Sequence, residues 1–167
     1  LLVEACDAGK AVACDGAGDL FSQGRGGPVN GAEARRLLLR GCTLGSALSC
    51  SQAGYLIGNP NTGAVDLAQS RSLYQRGCDL GNAEACGNLA MMHYRGEGGP
   101  RDYVAAIRYA TLGCPIDSGN ACHVLGMTAR EGLGRAIDLA FARVSFERAC
   151  TLTIAASCAQ SGVMQAT

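Results

Sequence analysis

The stretch RGCDLGNAEACGNLA, residues 76–90, places seven residues between Cys78 and Cys86. This separation is too long for a redox Cys-x-x-Cys motif and differs from the usual spacing of zinc-binding pairs. The intervening Leu-Gly-Asn-Ala has the composition of a tight turn. The stretch therefore predicts a turn with one cysteine on each side.

The same Cys-x7-Cys pair recurs along the whole chain. Each pair begins 36 residues after the previous one, without insertion or deletion. The pairs are Cys6/Cys14, Cys42/Cys50, Cys78/Cys86, Cys114/Cys122 and Cys150/Cys158. A strict period of this length is typical of a repeat protein, in which each unit contacts only its neighbours.

Each repeat is expected to form two helices joined by a loop. In the third repeat, residues 86–95 fit a first helix, which we name helix A, and the glycines of Gly96–Pro100 end it. Asp102 fits an N-cap, and residues 103–112 have the helical spacing of apolar residues for a second helix, helix B. A small residue always stands four positions after the second cysteine, as closely crossing helices require. These are Gly18, Gly54, Ala90, Gly126 and Gly162.

This register predicts an all-α chain organised as a single repeat domain over residues 1–167. The full periods are 14–49, 50–85, 86–121 and 122–157, with partial repeats at 1–13 and 158–167. The chain begins Leu-Leu-Val without Met or a signal peptide, and we expect it to be a fragment of a longer protein.

The cysteine pairs are expected to be disulfides. A hairpin of two helices brings residues eight apart within disulfide reach, with Cα atoms about 5.5–6 Å apart. Ten paired cysteines, abundant glycine and no tryptophan suit short helices held by crosslinks in an oxidising compartment. The alternatives are free buried thiols or zinc ligands, although His93 and His123 are the only histidines.

Composition and motifs argue against several functions. The chain has 14 basic and 14 acidic residues, so nothing indicates nucleic-acid binding. No apolar run approaches the roughly 18 residues of a membrane span. Lys10 is the only lysine and Asp7 stands three residues before it, so the Ser-x-x-Lys motif of serine β-lactamases is absent. We expect no catalytic residue, no metal and no cofactor.

The sequence resembles the Sel1-like repeat family. The third repeat carries the motif most completely, with Leu89-Ala90, then Tyr94-Arg95-Gly96-Glu97-Gly98-Gly99-Pro100, then Asp102-Tyr103-Val104-Ala105-Ala106. The 36-residue period with Cys-x7-Cys is similar to the Helicobacter cysteine-rich protein subgroup. Repeat two departs, with Asn59-Pro60 in place of the Gly-x-Gly loop, and repeat four lacks the loop proline.

The resemblance implies a right-handed α-solenoid of 36-residue αα-hairpin repeats, related to tetratricopeptide repeats and usually exported in bacteria. It implies protein–protein interaction, with a binding surface on the concave side. Some members of the subgroup have been described as binding or slowly hydrolysing β-lactams.

A candidate binding surface follows from positions that vary between repeats. Positions 1, 5 and 8 after the second cysteine share one side of helix A, and we name this side the helix A face. It would be acidic at one end, rich in Tyr and Met in the middle and basic at the other. The candidate residues on this face are Asp15, Asp19, Tyr55, Met91, Tyr94, His123, Met127 and Arg130, with Arg95 beside it.

These observations favour a non-enzymatic scaffold that binds a protein or extended peptide, in the periplasm or outside the cell. One alternative is binding of a β-lactam or peptidoglycan fragment, with weak β-lactamase-type activity. Another is an immunity-type partner that neutralises an effector.

Overall fold

The computed structural model describes residues 1–25 and 27–165 of the chain, with ten α-helices, two short 3-10 turns and no strand among them. The helices A are α2 (Ala11–Gln23), α4 (Ala47–Gly58), α6 (Ala83–Arg95), α8 (Gly119–Glu131) and α10 (Ala155–Gln165). The helices B are α1 (Leu2–Asp7), α3 (Gly31–Thr43), α5 (Leu67–Asp79), α7 (Tyr103–Gly113) and α9 (Leu139–Thr151). The predicted all-α class of repeating helical hairpins is confirmed.

The period of the sequence reappears in the helix boundaries. Each helix A begins three residues before the second cysteine rather than at it, as at Ala47 before Cys50. Ser46 and Ser118 cap helices α4 and α8 through their side chains, which explains the earlier start. Helices α3, α5, α7 and α9 are capped by the side chains of Asn30, Asp66, Asp102 and Asp138, again 36 residues apart.

The chain divides into two compact units, Leu1–Asn82 and Ala83–Thr167. In unit 1 the core clusters consist of small and aliphatic buried residues, with Leu37 and Leu38 almost fully buried, and Tyr74 is buried as well. In unit 2 one core cluster centres on the buried Phe146 with Ala129 and Ala142.

Small residues at the predicted positions allow the two helices of a hairpin to approach. A methyl group on Gly126 would lie 2.6 Å from the Phe146 ring, and one on Gly18 would lie 2.5 Å from Leu38. These distances are too short for a side chain, so glycine is required where helix B carries a bulky residue.

Disulfides close the corners between helix B and the following helix A. Their Cα–Cα distances are 4.7 Å for Cys6–Cys14, 4.5 Å for Cys42–Cys50, 4.8 Å for Cys114–Cys122 and 4.6 Å for Cys150–Cys158. These separations are shorter than predicted because the corner is tight, and they fall within the ordinary disulfide range. Cys78 and Cys86 are also disulfide-bonded, and no cysteine in the described part of the chain is free.

The loops that follow helix A keep one backbone conformation in repeats three and four. Gly96 and Gly98 have φ of 76° and 67°, and Gly132 and Gly134 both have φ of 70°. The missing proline of repeat four therefore does not alter these left-handed positions. In repeat two, a 3-10 turn at Pro60–Thr62 replaces the glycine pair.

Candidate functional site

The candidate residues are divided between the two units. Unit 1 contains Asp15 and Asp19 on α2 and Tyr55 on α4, whereas the other six lie on α6 and α8 of unit 2. Tyr55 is 57% exposed, the largest exposure of a candidate aromatic residue. Position 5 after the second cysteine therefore presents an aromatic side chain to solvent on α4.

The two acidic candidates of unit 1 are held by intramolecular contacts. Asp15 accepts a hydrogen bond of 2.6 Å from the Ser46 hydroxyl and a second from the Ser49 hydroxyl, both in the next hairpin. Asp19 accepts hydrogen bonds from Gln23 and Arg25 at the end of its own helix. Asp15 thus links stacked repeats, whereas Asp19 is bonded only within its own repeat.

His123 occupies the same position as Asp15, one residue after a second cysteine, and makes an equivalent link. Its Nδ1 shares a hydrogen bond of 2.6 Å with the Ser157 hydroxyl of the next hairpin. Burial lowers the pKa of His123, and the nearby Arg130 and Arg95 lower it further. Ser157 is fully buried. A substrate therefore cannot reach this Ser–His pair, and it does not provide a nucleophile.

Sequence reasoning missed this pairing between stacked helices. The residue that follows the second cysteine of one repeat lies opposite the residue that precedes the second cysteine of the next repeat. These two residues are 34 positions apart in the sequence. Asp15 meets Ser49 and His123 meets Ser157, whereas Gly87 stands in register with Ala121 and a methyl group on it would lie 3.0 Å from the Ala121 nitrogen. Ser51, which stands in register with Ala85, does not follow this pairing of a polar residue with serine, so the sequence alone did not indicate which of these residues bond.

Unit 2 contains a hydrogen-bonded network across successive helices A. The Tyr94 hydroxyl on α6 donates to Glu131 on α8 over 3.2 Å. Arg130 pairs with Glu131, donates to Gln160 on α10 and lies 5.6 Å from the centre of the Phe146 ring. Burial and the charge of Glu131 raise the pKa of Tyr94, so its phenol stays protonated and donates. The network fixes the orientations of Tyr94 and Arg130.

The remaining candidates of unit 2 surround this network. Arg95 is largely exposed and pairs with Glu97 over 3.6 Å. Met127 is half-buried and packs against the Phe146 cluster, and Met91 is half-buried on α6. Tyr94 also contacts the ring of Tyr103 edge-on at 5.5 Å. This part of unit 2 offers polarisable and aromatic surface next to two arginines.

The described ranges contain neither a membrane-spanning helix nor a metal-binding cluster. None of the helices there has both the length and the apolar character needed to cross a bilayer. No group of three or more His, Cys, Asp or Glu side chains in the same ranges is arranged to hold a metal ion.

Comparison with known sequences identifies the repeat. The family model for the Sel1 repeat matches residues 11–46, 47–82 and 83–114, and these three segments begin where α2, α4 and α6 begin. No curated protein sequence matches the chain.

Solved structures show the same fold. The chain is similar to c5321, a protective antigen of uropathogenic Escherichia coli strains with an SLR fold, at a TM-score of 0.87 and 23% identity over 98% of this chain. A Sel1 repeat protein from Oxalobacter formigenes gives a TM-score of 0.83 and 18% identity over 93% of it. Helicobacter pylori cysteine rich protein B gives 0.59 and 21% over 78% of it. The chain spans 35%, 45% and 94% of these three proteins respectively.

Proposed function

Since this chain belongs to the Sel1 repeat family, whose repeats mediate protein interactions, we propose that it is a non-enzymatic scaffold for a protein or extended peptide partner. The partner is bound through the helix A face, in an oxidising compartment outside the cytoplasm. The chain covers less than half of two of its structural relatives, so the proposal concerns the part of the protein described above.

The network on α6 and α8 is the observation that carries the proposal. Tyr94 and Arg130 are held in place by Glu131 before any partner arrives, so less side-chain entropy is lost on binding. Tyr, Met and Arg are the residue types that protein interfaces favour. Asp15 and His123, which link repeats, stabilise the arrangement, and contact with a partner falls mainly to Tyr55, Met91, Tyr94, Met127 and Arg130.

The state of the cysteines supports the proposed compartment. All ten are disulfide-bonded, and cytosolic glutathione and thioredoxin would oppose so many bridges. An extracytoplasmic location also agrees with the use of crosslinks rather than a large aromatic core.

The proposal is tested by capture of a partner on immobilised oxidised protein from an extracytoplasmic extract of the source organism. The test variant combines Tyr55→Ala, Tyr94→Ala and Arg130→Glu. The control combines Gln69→Ala and Ser72→Ala, two exposed positions of helix B. We expect one partner to be retained by the parent and the control, and to bind the test variant at least about tenfold more weakly.

Circular dichroism of both variants would first establish that the helical content is unchanged. A partner that binds the test variant as tightly as the parent would show that the helix A face is not the binding surface. An absence of any retained protein would contradict the scaffold role itself.

A further inference from the structure

Unit 2 carries a cavity on its helix B side, distinct from the helix A face. Its volume is about 290 Å³, and it lies between α7 and α9 with Leu125 of α8 among its lining residues. The other lining residues are Thr111, Cys114, Pro115, Phe141, Val144, Ser145 and Arg148. Phe141 and Val144 on its rim are 37% and 55% exposed. We name this feature the outer cavity.

The corresponding place in unit 1 is filled by the protein itself. Thr111 and Ser145 are in register with Leu39 and Leu73 of α3 and α5, 72 residues earlier, and both leucines pack against the core there. In unit 2 the residues at these two positions, Thr111 and Ser145, are short and polar, and the space that the leucines fill in unit 1 is left as a cavity. The same exchange of side-chain size explains why unit 2 has room for a ligand.

The rim of the outer cavity is more apolar than the corresponding positions of unit 1. Phe141 and Val144 stand in register with Gln69 and Ser72 of unit 1, which are exposed polar residues. Unit 1 therefore has a filled groove with a polar rim, and unit 2 has an empty groove with an apolar rim. An open apolar cavity with exposed apolar edges indicates a surface that is covered by another molecule.

An arginine lies near each end of the outer cavity: one has no carboxylate partner among the described residues, and the other is already bonded to an aspartate. Arg135 lies 4.4 Å from the centre of the Phe141 ring, and no carboxylate among the described residues pairs with it. Arg148, seven residues after Phe141 on α9, is 47% exposed and bonds the Pro115 carbonyl and Asp117 over 3.2 Å each. Phe141 and Arg148 are therefore about 10 Å apart along the axis of α9. Two carboxylates at positions i and i+7 of a partner helix would be separated by the same distance.

We propose that the outer cavity is a docking site for an acidic amphipathic helix of a partner protein. The partner helix inserts a bulky apolar side chain between α7 and α9, against Leu125 and Val144. Carboxylates on either side of that anchor lie near Arg135 and Arg148. This is recognition of a helix in a groove, with the helix aligned along the cavity.

A synthetic peptide tests the proposal directly. The probe is a fluorescein-labelled helical peptide with leucines at i, i+3, i+4 and i+7 and glutamates flanking them, measured by fluorescence anisotropy. A matched peptide carries lysines in place of the glutamates. We expect the acidic peptide to bind the parent protein and the lysine peptide to bind it at least about fivefold more weakly, with a difference that shrinks as salt rises.

Two variants locate the peptide. Thr111→Leu with Ser145→Leu copies the filling residues of unit 1, and we expect it to weaken binding by about tenfold or more, since the anchor loses its buried site. Arg135→Glu reverses a charge at the rim and removes the contact of Arg135 with the Phe141 ring, but it leaves the cavity unfilled, so it keeps the test informative if the filled variant does not fold. We expect it to weaken binding of the acidic peptide and to improve binding of the lysine peptide.

Three results would overturn the proposal. The acidic peptide does not bind the parent protein, or the filled variant binds it as tightly as the parent does. Alternatively, the parent forms a dimer without peptide that the filled variant abolishes, which would make a second copy the occupant. The helix A face variant is expected to bind the peptide normally, so failure of this proposal leaves the proposed function untouched.

Discussion

At the scale of single residues, position 1 after the second cysteine decides how one repeat is joined to the next. Asp15 and His123 fill this position with polar groups that bond a buried serine of the following hairpin. A buried polar group costs stability unless it is paired, so Ser49 and Ser157, which are fully buried, each need this partner. Asp15 and His123 were predicted to contact a partner, but part of their hydrogen-bonding capacity is used within the protein.

His123 should make the stability of the protein depend on pH. Its pKa in the folded state lies below the ordinary value of 6.5, mainly because of burial. The unfolded chain therefore binds a proton at higher pH than the folded chain does. The stabilisation is complete above pH 6.5 and is lost as pH falls from there towards the folded-state pKa. We expect the thermal unfolding midpoint to decrease over this window.

The control for this prediction is His123→Asn, which keeps a hydrogen-bonding group near Ser157 but does not titrate. The difference between the midpoints of parent and variant should shrink as pH falls from 7.5 towards 5. Carboxylates shared by both proteins cancel in this comparison. A difference that stays constant with pH would show that His123 is not the responsible group.

At the scale of structural elements, the corner between helix B and the next helix A is the most regular feature of the chain. Gly9, Gly45 and Gly81 adopt φ of 90°, 92° and 87° at the same point of successive corners. Asp117 and Thr153 stand at that point in the last two corners, with φ of 70° and 72°. A left-handed conformation costs a residue with a Cβ about 1–2 kcal/mol relative to glycine.

Thr153→Gly should therefore stabilise the protein. Relief of the left-handed conformation is partly offset by the greater freedom of glycine in the unfolded chain, so we expect a net gain of about 1 kcal/mol. Chemical denaturation followed by circular dichroism measures the change. The reverse change, Gly45→Ala, should cost about 1 kcal/mol. A methyl group on Gly45 would have nothing within 4 Å, so this control tests the backbone alone. An unchanged midpoint for Thr153→Gly would contradict the argument.

The elements were predictable because their determinants are local. Each determinant acts within one helix or between helices that are neighbours in the sequence: the Cys-x7-Cys pair, the caps at Asp66 and Asp102, and small residues such as Gly126. Each also recurs four or five times at the same period, which made it recognisable in the sequence. The stacking contacts were not predictable in the same way. Whether Asp15 faces solvent or Ser49 depends on how one helix A is rotated against the next, which no single repeat specifies. The outer cavity also required structure, because it arises from a difference between Leu39 and Thr111 rather than from a shared motif.

At the scale of the whole molecule, the disulfides differ in their access to solvent. The sulfur-bearing residues of the earlier bridges are buried, and Cys114, at 8%, is the most exposed among Cys6, Cys14, Cys42, Cys50, Cys78, Cys86, Cys114 and Cys122. Cys158 is exposed. Thiol–disulfide exchange requires a thiolate to reach a sulfur atom. The bridge between Cys150 and Cys158 is therefore the one open to attack in the folded protein.

Limited reduction should break the Cys150–Cys158 bridge first. In dilute dithiothreitol, alkylation and mass spectrometry should find label on these two cysteines while the others stay oxidised until the protein unfolds. Each bridge closes a loop worth roughly 2–3 kcal/mol in the chain-entropy account. Full reduction in denaturant should then prevent recovery of the original unfolding midpoint. Simultaneous labelling of all cysteines would contradict the ordering.

Loss of the Cys150–Cys158 bridge should also weaken binding at the helix A face. Helix α10 supplies Ser157 to His123 and Gln160 to Arg130, so loosening α10 removes the support of two candidate binding residues. A variant with Cys150→Ser and Cys158→Ser reproduces the reduced state without dithiothreitol. We expect it to bind the partner of the helix A face more weakly than the parent, while Tyr55 in unit 1 remains as exposed as before. Equal affinity would show that binding does not depend on α10.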